Sequence, residues 1–104
     1  MTHELPAWSA WRPGSRNDQL TIGIEEEFML LDPSDWSLAF RSDEVLAALP
    51  ADLQERVTLE THAAVMEVAT GVHLRVRDAV NELAGLRRRL TDALAEQGDR
   101  KSVV

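Results

Sequence analysis

The chain has 104 residues, 44% of them hydrophobic and 28% charged, with a formal net charge of −7 and a pI near 4.8. That length allows one small domain with a modest core, and the acidic balance argues against a nucleic-acid partner, because phosphate binding rests on clustered Lys and Arg. No apolar run is long enough to span a bilayer, no basic and apolar leader opens the chain, and there is no cysteine for a disulfide framework or thiolate site, so a cytoplasmic protein with no membrane partner is the expectation.

Residues 1–17 hold Pro6, Pro13, Gly14, Trp8 and Trp11 with neither a helical nor a strand period. They read as an irregular arm whose tryptophans pack on the domain or stay mobile, rather than as a ligand-stacking site.

Leu20 to Leu31 is a strand-like apolar run broken by three consecutive glutamates. Strand side chains alternate between faces, so Glu25 and Glu27 share one face and Glu26 points to the other. Two carboxylates on one face of an apolar strand repel each other and resist desolvation unless a cation, a basic partner or water compensates them. A hard divalent ion such as magnesium would, since it takes oxygen ligands. The alternative is an edge strand whose charges are solvated and discourage aggregation.

Asp32-Pro33-Ser34-Asp35 is turn chemistry, and Ser37 to Phe40 is the expected return strand of a hairpin. Ser42 before Asp43 and Glu44 reads as the N-cap of a helix that runs to about Leu49 and stops before Pro50; residues 51–56 could add a turn. Val57 to Glu60 and Val65 to Thr70 are β-rich. Glu60 and Glu67 lie seven apart, on opposite faces of an unbroken strand, so on strands bringing both to one site needs a bulge or loop between Thr61 and Ala64; one helical segment would also align them, two turns apart, but the β-branched residues favour two short strands with a break.

The last element is a helix with Val76, Val80, Leu83, Leu86, Leu90 and Leu94 along one face and Gly98 as its C′ residue. Gly85 in its interior invites close approach to the sheet. Arg87, Arg88 and Arg89 diverge around the axis and read as a solvated face rather than a phosphate site. His62 and His73 are at no recognised ligand spacing and read as ordinary polar positions.

Taken together, Thr21-Ile22-Gly23-Ile24-Glu25-Glu26-Glu27-Phe28-Met29-Leu30-Leu31-Asp32-Pro33, then Asp43 to Pro50, then Val65-Met66-Glu67-Val68-Ala69-Thr70-Gly71 and the final Leu-Arg-Arg helix resemble the carboxylate-amine ligases of the glutamate–cysteine ligase type 2 family. The likeness covers roughly residues 18–98. It implies an α+β fold, the N-terminal part of an antiparallel-sheet ligase domain: hairpin, short helix, acidic strand and long amphipathic helix. It also implies an ATP- and Mg2+-dependent reaction in which a carboxylate is phosphorylated to an acyl phosphate and then attacked by an amine, with glutamate and cysteine as the family's usual pair. Magnesium would neutralise the phosphates, and Glu25, Glu27, Glu60 and Glu67 match the family's metal-binding acids. Leu59 stands where the family has proline, and residues 61–63 depart from its pattern.

The family's remaining ligands and its ATP and amino-acid contacts lie in further sequence, so no catalytic or nucleotide-binding residue is assigned. An N-terminal fragment inactive by itself is the expectation, and the resemblance allows a homo-oligomer of the full-length protein. Residues 99–104 resemble a translated sequencing adapter and are expected to be a non-native tail. A free-standing α/β interaction or dimerisation module with a solvated acidic strand is the alternative reading, and a simple cation-binding domain a third.

Overall fold

In the computed structural model, residues 3–10, 20–97 and, for the backbone alone, 100–103 are described. Strand β1 (Glu25–Leu31) is followed by helix α1 (Ser42–Ala48), the single turn α2 (Ala51–Gln54), strands β2 (Val57–Leu59) and β3 (Val65–Ala69), helix α3 (Val76–Glu96) and strand β4 (Arg100–Val103). The strands form one antiparallel sheet in the order β2-β3-β1-β4. The architecture is α+β, as the resemblance implies.

Alternation within the strands separates two faces. Phe28 and Leu30 of β1, Met66 and Val68 of β3 and Val57 of β2 are buried on one face. They meet Leu86, Leu90 and Leu94 of α3, while Val45, Leu49 and Leu53 from α1 and α2 complete the same core. The opposite face carries Glu25, Glu27 and Met29 on β1 and Val65 and Glu67 on β3, with no helix of the described residues over it. A sheet with one buried and one open face is the expected outcome for antiparallel strands of alternating polarity.

The predicted hairpin is not formed as drawn. Ser37–Phe40 makes only an isolated bridge, Leu31 to Leu38. The reason lies in the competition for β1: β3 pairs with it from Glu25 to Met29, and the Leu30 N–H donates to the Ala64 carbonyl, leaving the Leu30 carbonyl to accept from Ala39 and the Asp32 N–H to donate to Ser37. The connecting turn is built as its composition suggests. The Asp32 and Asp35 carboxylates accept the amides of Ser34 and Ser37 two residues on, and Trp36 takes the left-handed conformation at φ 63°.

Three further expectations are corrected. Arg41, not Ser42, occupies the α1 N-cap position; Ser42 is the first helical residue, buried, with its amide donating to Ala63. Val76 and Val80 are 61% and 48% exposed, so the buried stripe of α3 is Ala79, Leu86, Leu90 and Leu94 with Leu83 partly covered. Gly85 makes no close approach: a Cβ there would meet only the Arg88 guanidinium, at 4.0 Å.

Of the N-terminal arm, residues 3–10 are extended around a 3-10 turn at Ala7–Ser9, and Trp8 is 82% exposed, so it does not dock on the domain. Trp11, Pro13 and Gly14 lie outside the described residues, as does Gly98 as helix terminator. The tail read as foreign supplies β4, which pairs with β1 through Phe28–Val103 to Leu31–Arg100. Strand pairing uses backbone groups that any sequence carries, so the pairing is silent on the origin of those residues.

Candidate metal centre

The acidic face is assembled by register. In β1 the alternation puts Glu25 and Glu27 on the open side, and the antiparallel pairing sets Glu27 directly opposite Glu67 of β3 and Glu25 opposite Ala69. Directly opposed like charges destabilise a sheet unless something compensates them, so this pair is the feature that asks for an explanation. On the far side of β3, Thr58 of β2 also pairs with Glu67, and Glu60 lies two residues beyond Thr58, just past the end of the strand.

The break demanded by the spacing of Glu60 and Glu67 is present. Residues 60–64 form a loop in which the Val65 N–H donates to the His62 carbonyl and the Ala64 N–H to His62 Nδ1 at 3.3 Å. His62 therefore serves the turn, and its ring also rests against Phe40 with centroids 5.4 Å apart. As a result, Glu27, Glu60 and Glu67 each present a carboxylate oxygen within 4.8 Å of the other two. Glu25 shares their face two register pairs along and is not part of the trio.

The electrostatics follow from the crowding. Partial burial, then the charges of Glu25 and Glu60, a hydrogen bond with Glu60 and the charge of Glu27 hold the Glu67 carboxyl above its ordinary value. Oxygens bound to one magnesium ion lie at most about 4.2 Å apart, twice the metal–oxygen distance. The donor set is wholly carboxylate, which suits magnesium, manganese or calcium and not a soft metal.

Glu26 belongs to the other side, as the alternation requires, and there Arg87 of α3 grips it with both fork nitrogens, Nε to Oε1 at 2.6 Å and Nη2 to Oε2. Arg89 pairs with Asp52 of α2 at 2.9 Å. Two of the three consecutive arginines thus tie α3 to other elements, where the sequence suggested a solvated face. His73 contacts Glu82 Oε2, while Glu82 Oε1 accepts the Gly71 N–H at 3.0 Å and lies 3.9 Å from Arg56 Nε. The Gly71 amide and His73, with Arg56 adding a smaller pull, hold the Glu82 carboxyl below its ordinary value. None of these partnerships carries a local signature, because Arg87 lies 61 residues from Glu26 and Glu82 lies 9 from His73.

Two shallow grooves flank α3, one of about 330 Å³ beside Pro50, Leu53 and Ala93, the other of about 470 Å³ beside Arg56, Glu82 and Gly85. Both lie on the helical side, away from the acidic face. Among the described residues no helix is long and apolar enough to cross a membrane.

No protein-family model matches the chain. Curated proteins do. It is 45% identical over 73 residues to a protein of Ectopseudomonas mendocina provisionally named glutamate–cysteine ligase 2, covering 69% of this chain and 19% of that one. It is 37% identical over 92 residues to the similarly named protein of Sorangium cellulosum, covering 86% and 24%. It is 36% identical over 74 residues to glutamate–cysteine ligase 2-1, also a provisional name, of Rubrobacter xylanophilus, covering 71% and 20%. The chain spans about a fifth of the length of the relatives it matches.

Proposed function

The chain belongs in sequence to the glutamate–cysteine ligase 2 family over the stretch it shares with those relatives, and on that premise we propose that it supplies the metal-binding face of a cytoplasmic, ATP-dependent carboxylate-amine ligase. The observation that carries the proposal is the convergence of Glu27, Glu60 and Glu67 from three separate segments onto one open sheet face, with Glu25 beside them. Like charges gathered in this way oppose folding, and a divalent cation, which takes oxygen ligands, would compensate them.

In this role Glu27, Glu60 and Glu67 would hold Mg2+, with Glu25 on the same strand face. Magnesium would supply neutralisation of the phosphate charge while a substrate carboxylate, glutamate in the relatives' names, is activated as an acyl phosphate for attack by the amine of cysteine. The chain's own contribution is positional. The sheet fixes the spacing of the carboxylates, and its helix-backed side keeps them facing outward. Groups that bind nucleotide and amino acids are expected in further sequence, so the 104-residue chain binds the cation and does not ligate by itself.

Titration of the chain with Mn2+, followed by electron paramagnetic resonance, tests the site. A saturable site is expected, weakened about tenfold in each of E27Q and E67Q and competed by Mg2+. Absence of saturable binding, or identical binding by a triple Gln variant at 27, 60 and 67, would sink the metal assignment. For the reaction, a longer reading frame recovered from the source genome should hydrolyse ATP only with glutamate, cysteine and Mg2+ all present.

One observation favours a second reading. Val72 and Leu74, just before α3, and Val76 and Val80, in its first two turns, are exposed, as they would be in a small interaction or dimerisation module. Concentration-dependent mass measured by sedimentation, abolished in V76S/V80S, would support that reading over the ligase.

A further inference from the structure

Three glutamates in succession leave the register of β1 locally ambiguous, because a slip by one residue would exchange Glu26 for Glu25 or Glu27 on each face. Arg87 discriminates among them. It stands near the middle of α3, on the helix-backed side, and engages Glu26 with Nε on one oxygen and Nη2 on the other. The Glu26 side chain is 15% exposed and that of Arg87 44%. A planar fork on a carboxylate is directional, unlike a point charge, so it fixes the rotation of the strand as well as neutralising the acid. Glu26 lies between the two strand carboxylates of the acidic face, one residue from each.

We propose that Arg87 is a positioning residue for the metal face: by holding Glu26 against α3, it orients Glu25 and Glu27 outward and sets Glu27 opposite Glu67. The inference rests on the cation-site reading above, but its failure can be told apart from the failure of that reading. The sign of the effect is what separates positioning from simple electrostatics. Arg87 carries a positive charge close to a cation site, so removing that charge alone would tighten Mn2+ binding. Removing a positioning group loosens it.

The test measures Mn2+ affinity in the folded 104-residue chain, its R87Q and R87K variants, the charge-swapped double variant E26R/R87E, and R89Q. Arg89 serves as the control because it also ties α3 to another element, at Asp52, away from the acidic face. R87Q is expected to raise the Mn2+ dissociation constant about five- to tenfold. R87K, which keeps the charge and loses the fork, should fall between R87Q and the parent, while E26R/R87E recovers to within about twofold and R89Q does not change. Equal or tighter binding by R87Q overturns the proposal, and so does an equal loss in R89Q. If R87Q does not fold, the double variant decides: recovered affinity supports positioning, and affinity tenfold below the parent overturns it. No saturable binding by the parent chain refutes the metal site itself.

Discussion

Replacing Gly85 by alanine tests the placement of α3 against the rest of the domain. Gly85 lies in the interior of the 21-residue α3, where glycine is less favourable than alanine by about 0.8–1 kcal/mol because it loses more backbone freedom on folding. Whether that difference can be recovered depends on space. Outside the helix's own backbone, the nearest atom to an added Cβ is the end of the flexible Arg88 side chain, at 4.0 Å. Nothing is displaced, so the whole propensity difference should appear as a gain of about 1 kcal/mol, which for a domain of this size raises the melting temperature by roughly 4–8 °C. Urea unfolding followed by circular dichroism should show a higher midpoint with an unchanged slope. A loss of stability would refute the reasoning, and would mean that Gly85 permits the tight packing against the sheet that its position in the sequence suggested.

Other expectations follow from the same geometry. Leu90 is fully buried in the core, so L90A should cost about 2–5 kcal/mol, a large part of the stability of a small domain. V80S, at a position 48% exposed, should change stability by less than about 0.5 kcal/mol; equal losses on urea unfolding would contradict the placement of the buried stripe. Glu82 is held below its ordinary value of 4.5 by the Gly71 amide and His73, so its contribution is fully present above that value and is lost as pH falls through the lowered one. E82Q should therefore be less stable than the parent at pH 7, with the gap closing in acid when urea midpoints are compared from pH 7 to 3. Glu67 is shifted the opposite way: its penalty exists above the raised value and disappears as pH falls through it toward 4.5. Without metal, E67Q should be the more stable protein at pH 7 and lose that advantage in acid, and in the parent Mn2+ affinity should decline over the same interval as protons compete.

Much of the architecture was determined by local sequence. The period of Leu86, Leu90 and Leu94 requires a helix with one buried stripe, and Pro50 ends α1 because the residue before proline leaves the helical region. Alternation assigns Glu25 and Glu27 to one face and Glu26 to the other, since the period of a strand is two whatever surrounds it. The β-branched residues around Glu60 and Glu67 favour strands, on which their spacing called for a break at residues 61–64 if both were to reach one face, and a loop stands there.

What the tertiary structure decided is which groups compete for the same partner. Ser37–Phe40 has the composition of a return strand, yet β3 takes most of the β1 edge and leaves it one bridge. Val76 and Val80 continue the apolar period of α3 yet stand 61% and 48% exposed, because periodicity marks a face and does not say how far along it the core extends. The meeting of Glu27, Glu60 and Glu67 depends on strand order and register. The selection of Glu26 by Arg87 depends on contact across 61 residues. Neither is encoded in a local pattern, because pairing across a sheet or between layers is fixed by packing the whole core at once.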